Sequence, residues 1–372
     1  MQTLQTEQLQ PINLTPIPDN PLVSVLVPNY NYAKYIGEAL DSVLSQTYQN
    51  FEVIVCDDGS ADNSCEVVKT YVQKDSRIKL IDKENGGVAT ALNRAYRESK
   101  GEIICLLDAD DIWMNNKLQR ILEVFKSNPQ SGLAIHNVIK IDAQGNFINS
   151  TPHYRKLAIG WMAQFALENG GFVYDIPPAS ALSMRREVTN LLFPLNETFR
   201  SNADSLIFRL APFITVIGTV SEVLSKFRFH GANTTSLLTV TAERLEREEV
   251  VFERLHQEQK RFLTEVYGAS IAKRLSDLKH SVLVCNARYL VARLRDKPGK
   301  ERKQVHQQLV SHPQFHEYFG EALFQKWLVQ WGQYCPDAFF VFLFDQVYGS
   351  GSLKRIARFL FKRKQTVNFV GG

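Results

Sequence analysis

The sequence predicts an α/β fold, a mostly parallel sheet flanked by helices, with an all-helical C-terminal extension. Three observations predict it. Over the first 140 residues, short β-branched apolar runs alternate with stretches whose apolar residues recur at helical spacing. Three of those runs end in chemically rich clusters, as strands do where a ligand sits at one edge of a sheet. From about Thr241 the composition shifts to charge-rich segments of helical period.

The elements follow in order. Residues 22–28, Leu-Val-Ser-Val-Leu-Val-Pro, are apolar, β-branched and bounded by prolines, and form the first strand. Ile36, Ala39, Leu40, Val43 and Leu44 then mark a helix. Residues 51–56 are the second strand, running out into Asp57-Asp58-Gly59-Ser60. Asp62 or Asn63 caps the next helix, whose apolar positions are Val67, Val68, Tyr71 and Val72. Residues 78–81 make a short third strand, and Val88, Ala91, Leu92, Ala95 and Tyr96 a third helical stripe. The fourth strand ends at Leu107. Leu118, Ile121, Leu122 and Phe125 give a further helix, and Leu133-Ala134-Ile135 opens another strand.

Asp108-Ala109-Asp110-Asp111 stands directly after that fourth strand. Three carboxylates beside a core are costly unless something positive sits among them. Oxygen-rich clusters of this kind suit a hard divalent cation, Mg2+ or Mn2+, able to bridge to a substrate phosphate. An acidic turn or helix N-cap is the competing reading. Asp57-Asp58 and the polar aromatic run Asn29-Tyr30-Asn31-Tyr32 end two other strands of the same predicted sheet. Three such ends on one edge favour a site.

Residues 22 to about 140 resemble an inverting family 2 glycosyltransferase of the GT-A (Rossmann-like) nucleotide-sugar fold. The resemblance rests on Val27-Pro28-Asn29-Tyr30-Asn31, on residues 40–48 (Leu-Asp-Ser-Val-Leu-Ser-Gln-Thr-Tyr), on residues 53–62, on Asn85-Gly86-Gly87-Val88-Ala89 and on Leu106-Leu107-Asp108-Ala109-Asp110-Asp111. Their order and spacing over about a third of the chain make the signal specific; any one alone is weak. The resemblance implies that Asp57 accepts a hydrogen bond from the nucleotide base, that Tyr30 packs on that base and that Pro28 shapes the loop between them. Asp108 would lie near the ribose or an ion-bound water. Asp110, in the DxD motif, would ligate the cation that holds the diphosphate. Asn85 and Gly87 open a helix whose free backbone N–H groups could face ligand phosphate. Asp58 reads as a turn residue and Asp111 as a helix cap.

Two departures stand out. Many members carry Arg before the Asn of Ala89-Thr90-Ala91-Leu92-Asn93, and Arg94, just after that Asn, points elsewhere. Asn115 stands where proline is common.

Inverting transfer needs a carboxylate to take the proton of the acceptor hydroxyl. Members usually place it in an acidic pair before a helix; here residues 199–206 hold one acid, Asp204, the candidate base, with a helix N-cap as its plain alternative. Glu197 and Asp175 are in reserve. Residues 226–233 resemble the family's Arg-x-His segment, which makes His230 a further metal ligand or diphosphate contact. Residues 175–180 read as acceptor-site loop, followed by a strand with Arg185-Arg186. Trp113 and Trp161 could stack on a sugar, though core packing is the default for large aromatics.

The chain of 372 residues has room for one large domain and an appendage, and its 44% hydrophobic and 22% charged content is that of a globular protein. The expected organisation is a disordered leader at 1–20, a catalytic domain at 21–240 and a helical extension at 241–372. Five cysteines without metal-ligand spacing fit reduced thiols in a cytoplasmic protein. No apolar run is long enough to span a bilayer. The extension ends in a basic amphipathic tail: Leu353, Ile356, Ala357, Leu360 and Phe361 beside Lys354, Arg355, Arg358, Lys362, Arg363 and Lys364. That tail suits either an anionic, cytoplasmic membrane face or packing on its own domain. The net charge of +4 comes largely from it, and nucleic acid is not an expected partner.

The expected activity is metal-assisted transfer of a sugar from a nucleoside diphosphate donor, UDP foremost, to a hydroxyl, with inversion, in surface polysaccharide or glycoconjugate synthesis. The acceptor is a glycan, a lipid-linked saccharide or a protein. A sugar nucleotidylyltransferase would carry a Gly-rich, Arg- and Lys-bearing loop after its first strand, unlike Pro28-Asn29-Tyr30-Asn31-Tyr32. A catalytically silent nucleotide-sugar-binding scaffold is the other alternative, given the single acid at Asp204.

Overall fold

The computed structural model describes residues 8–148, 151–230, 240–320 and 322–348. Its first half is a run of βαβ units: β1 (Val23–Asn29), α1 (Ile36–Leu44), β2 (Phe51–Asp57), α2 (Ser64–Lys74), β3 (Ile78–Asp82), α3 (Val88–Glu98) and β4 (Ile103–Leu106). β2 and β4 are buried throughout and β1 nearly so, because crossover helices cover both faces of a parallel sheet. That is why these strands are continuously apolar rather than alternating. β1 pairs in parallel with β2 on one side and β4 on the other, and β3 extends the sheet beyond β2. Asn29 stands opposite Asp57 and Leu26 opposite Leu106. The carboxyl ends of all three strands therefore reach the same edge.

The chain continues through β5 (Ile112–Trp113), α4 (Lys117–Ser127), β6 (Ser131–Ile141), α5 (Ala163–Glu168), β7 (Leu182–Arg185), α6 (Arg186–Leu192), α7 (Asp204–Leu210) and β8 (Val216–Arg228). The eight strands run in the order β3-β2-β1-β4-β7-β6-β8-β5. β7 is antiparallel to both β4 and β6, β8 is parallel to β6, and β5 is antiparallel to β8. The sheet is thus parallel across its first four strands and mixed beyond them, and four of its seven strand pairings are parallel, in keeping with the mostly parallel α/β expectation. Hydrophobic period reveals a strand but not its direction.

One layer of the core joins Val23, Val25 and Val27 of β1 to Ile36, Leu40 and Val43 of α1 and to Leu118, Ile121 and Phe125 of α4. Each such side chain contributes about 1.5–3 kcal/mol relative to exposure. The expected disordered leader is corrected from residue 8 onward. Ile12 donates its N–H to the Ile214 carbonyl at 2.9 Å, and Thr15 donates N–H and Oγ1 to Glu187 at 3.2 and 2.7 Å. Ile17 packs on the core. The polar composition concealed these few specific bonds.

Contacts divide the chain into two compact units, residues 1–234 with 258–275, and residues 235–257 with 276–372. The boundary expected at 240 accordingly shifts into α8 (Ala242–Tyr267), whose last turns belong to the first unit with α9 (Ala269–Ala272). Gln259 donates to the Gly171 and Arg209 carbonyls, and the Tyr267 hydroxyl to that of Phe213, within that unit. The second unit adds α10 (Val282–Leu294), α11 (Gly299–Val310), α12 (Phe315–Phe319), α13 (Leu323–Gly332) and α14 (Asp337–Tyr348). Tyr289 of α10 meets Phe340 of α14 edge-on, and Gly332 at the end of α13 lets the Phe340 ring approach so closely that a Cβ would come within 2.7 Å of it. The basic tail at 353–364 lies outside the described residues.

Candidate functional site

At the shared edge, Asp57 closes β2 as a buried carboxylate. It accepts the Ser60 N–H at 2.8 Å on one oxygen, and Asn29 Nδ2 at 2.6 Å and Ser60 Oγ at 2.8 Å on the other. Asn31 donates its N–H to Ser60 Oγ, and Ala61 donates to Asn31 Oδ1, both at 2.8 Å. The loops after β1 and β2 are laced together. Pro28 lies opposite Cys56 at this edge, and Tyr30 just beyond is 47% exposed.

Cys65 and Asp82 also approach Asp57, with ligand-type atoms all within 4.8 Å of one another. Burial and the two carboxylates push the Cys65 thiol up to about 11, so it stays protonated beside an Asp57 already held by Asn29 and Ser60.

The start of α3 departs from expectation. The Asp58 carboxylate accepts the backbone N–H of Gly86 at 2.9 Å and of Gly87 at 2.7 Å, and Val88 N–H goes to the Arg200 carbonyl at 3.0 Å. Asn85 donates Nδ2 to the Asp58 carbonyl and accepts Arg200 Nη2 at 2.7 Å. The Gly87 amide expected to face phosphate is therefore already used by Asp58, and that role is corrected for Gly87, while the Asn85 side chain is held by Asp58 and Arg200. These residues tie the 83–87 loop to Asp58 and Arg200. Gly87 has φ +97°, and a Cβ there would lie 2.5 Å from Arg200 Cα, so only glycine fits. One turn further, Asn93 is buried and grips Leu195 by N–H and carbonyl at 2.7 and 2.9 Å. Arg94 meets Glu98 at 3.3 Å on the exposed side.

After β4, the Asp108 N–H donates to Ser180 Oγ at 3.0 Å. Asp110 holds His230 Nε2 at 2.9 Å, and its carbonyl accepts Arg228 Nε at 2.8 Å. Asp111 accepts the Arg228 N–H at 2.9 Å, which makes it a strap to β8 rather than the expected helix cap. Buried Arg228 reaches on to Glu38 at 2.7 Å and lies over the Tyr35 ring. The His230 ring stacks on Tyr35 at 5.1 Å and meets Tyr32 edge-on at 5.7 Å. Burial first, then the neighbouring carboxylates, push Asp108 and Asp111 well above the usual carboxylate range. Burial and the same three aspartates raise the Tyr32 phenol. Carboxylates crowded at one buried edge are a donor set that a hard divalent cation relieves, so these residues fit Mg2+ or Mn2+.

Asp204, the first residue of α7, is half-buried, and burial raises its carboxyl. Its charge also acts on Asp108. The reserve acids stand elsewhere: Glu197 is exposed and accepts Asn93 Nδ2, while Asp175 is exposed and its charge acts on Tyr154.

Trp113 is buried and donates Nε1 to the Ser180 carbonyl at 3.0 Å, which corrects the sugar-stacking reading in favour of the core. Buried Lys117 donates to the same carbonyl at 2.8 Å with its ammonium 3.4 Å from the Trp113 ring centroid, and Ser225 Oγ adds a third bond at 3.1 Å. Burial lowers the Lys117 amine to about 7. Trp161 is half-buried. Sequence reasoning missed Ser180, Lys117 and Tyr32 as supports of the acid cluster. Tyr32, inside the polar aromatic run, and Ser180, in the expected acceptor-site loop, carried a signal, and Lys117 carried none.

The family described as Glycosyl transferase family 2 matches residues 24–189. An uncharacterized glycosyltransferase of Nostoc sp. is 35% identical over 253 residues, 67% of this chain and 78% of that protein. The chain belongs to glycosyltransferase family 2. Chondroitin synthase of Pasteurella multocida is 40% identical over 118 residues, 32% of this chain but 12% of that much longer protein. The crystal structure of S. aureus TarS 1-349 superposes with a TM-score of 0.50 at 17% identity, over 88% of this chain and 90% of that one, which shows a shared fold. The family 2 chain is thus a glycosyltransferase with the GT-A architecture, an enzyme of sugar transfer in glycan synthesis. The nucleotidylyltransferase and silent-scaffold readings give way to that membership.

Proposed function

We propose that this enzyme moves a sugar from a nucleoside diphosphate donor, UDP-linked in the first instance, to an acceptor hydroxyl with inversion. The observation that carries the reading is the parallel register of β1, β2 and β4, which brings Asp57 and the loop bearing Asp108 and Asp110 to one sheet edge, where Asp204 also acts on Asp108. Asp57, held rigid by Asn29 and Ser60, accepts a hydrogen bond from the base, and Tyr30 covers the base from the exposed side. Pro28 shapes the loop between them. Asp108 faces the ribose. Asp110 and His230 would hold Mg2+ or Mn2+, which when bound offsets the charge gathering on the departing diphosphate. Asp204 takes the proton from the acceptor hydroxyl while that oxygen bonds to the anomeric carbon and the bond to the diphosphate breaks on the opposite face. Its raised pKa makes it a better proton acceptor than an ordinary surface aspartate. The acceptor is a glycan, lipid-linked saccharide or protein hydroxyl, entering past residues 175–180.

The test is a panel of nucleotide sugars with Mn2+ or Mg2+ and saccharide acceptors, with the anomeric configuration of the product read by NMR. Inverted product that disappears with Asp110→Asn and with Asp204→Asn supports the proposal. Retained configuration, or turnover indifferent to both substitutions, overturns it.

A further inference from the structure

Eight of the fourteen large apolar side chains exposed among the described residues fall between Leu323 and Phe342. On α13 they form a stripe: Phe324, Trp327 and Trp331 recur at helical spacing, beside the face that buries Leu328, Val329 and Gly332. Trp327 and Trp331 are 45% and 51% exposed, and Leu323 and Tyr334 extend the stripe at either end. On α14, Phe340 and Phe344 are buried while Phe339 and Phe342 stack on each other in the open at 6.4 Å. Gly332 seats the two helices together through Phe340. An exposed apolar concentration of this size marks a surface that something covers.

We propose that the α13–α14 hairpin is a docking surface for an anionic lipid bilayer, anchored by Trp327 and Trp331. Two features select lipid over protein. Trp and Tyr, each an apolar ring with one polar atom, suit the headgroup boundary of a bilayer. In addition, the sequence beyond Asp345 has no acid and carries Lys354, Arg355, Arg358, Lys362, Arg363 and Lys364, a charge complementary to anionic headgroups. Among the described residues no helix is long and apolar enough to cross a membrane, so the contact lies in the interface plane. The inference is independent of the donor-site reading.

The experiment uses the full chain with vesicles of phosphatidylcholine alone or mixed with phosphatidylglycerol, read by co-sedimentation and by tryptophan quenching from lipids brominated on the acyl chains. The expected result is sedimentation with the anionic vesicles, quenching of tryptophan, and a fall in apparent affinity of roughly ten-fold or more for the double variant Trp327→Ser/Trp331→Ser. Both positions are exposed, so an unchanged melting temperature certifies the fold of the variant. Failure to sediment with either vesicle, equal sedimentation with both, or wild-type binding by the double variant each overturns the proposal. So does a lipid-free dimer that the double variant converts to monomer in sedimentation velocity.

Discussion

Asp108, on the loop after β4, is pushed up by burial and by Asp110, and the carboxylate of Asp204, at the first position of α7, adds to that push. Two acids remote in sequence share one electrostatic neighbourhood, whereas Glu197 and Asp175 act on other groups. Replacing Asp204 by Asn should lower kcat by about 10²–10⁴ while leaving donor affinity near wild type. Glu197→Gln and Asp175→Asn should stay within a few-fold of it. Steady-state kinetics beside donor titration decides the matter, and an equal loss at Glu197 would move the base there.

Asp57→Asn should weaken donor binding by about 10- to 100-fold, the scale of one charge-assisted hydrogen bond, with a much smaller effect on kcat. Isothermal titration with UDP measures it. An unchanged dissociation constant would remove Asp57 from base recognition.

Gly87→Ala should destabilise the fold by about 1–3 kcal/mol or more, since the site combines a left-handed φ with backbone crowding. The Arg200 main chain cannot yield as a flexible side-chain tip would. Urea unfolding of the variant reports the difference. A midpoint equal to wild type would mean that the two loops separate at little cost.

Stability should also depend on pH through Lys117. Its amine is lowered to about 7 by burial from an ordinary 10.5, so between those values the unfolded chain holds a proton that the folded chain does not. Stability from this group is then complete above pH 10.5, declines as pH falls, and reaches its floor below about 7. Lys117→Met should flatten the rise of unfolding free energy with pH across that window. Parallel wild-type and variant curves in denaturant titrations would reject the assignment.

Much of the parallel half of the sheet was legible because its strands are buried on both faces and its helices on one. Each therefore writes a distinct period into the residues. The convergence of Asp57 and Asp108 followed from parallel register alone. What escaped sequence reading depends on bonds between distant segments. Nothing local to Asp58 announces that it captures the amides of Gly86 and Gly87, and nothing in Pro177-Pro178-Ala179-Ser180 foretells that Trp113, Lys117 and Ser225 meet at one carbonyl. The reversed direction of β7 and the shared ownership of α8 are long-range outcomes of the same kind.

Asp58 leaves the opening of α3 electrically saturated, since a protein carboxylate already sits where an incoming anion would seek the helix dipole. On the proposed mechanism, relief for the departing diphosphate then falls to the cation and to side chains. Chelation by EDTA should for that reason extinguish turnover rather than merely slow it.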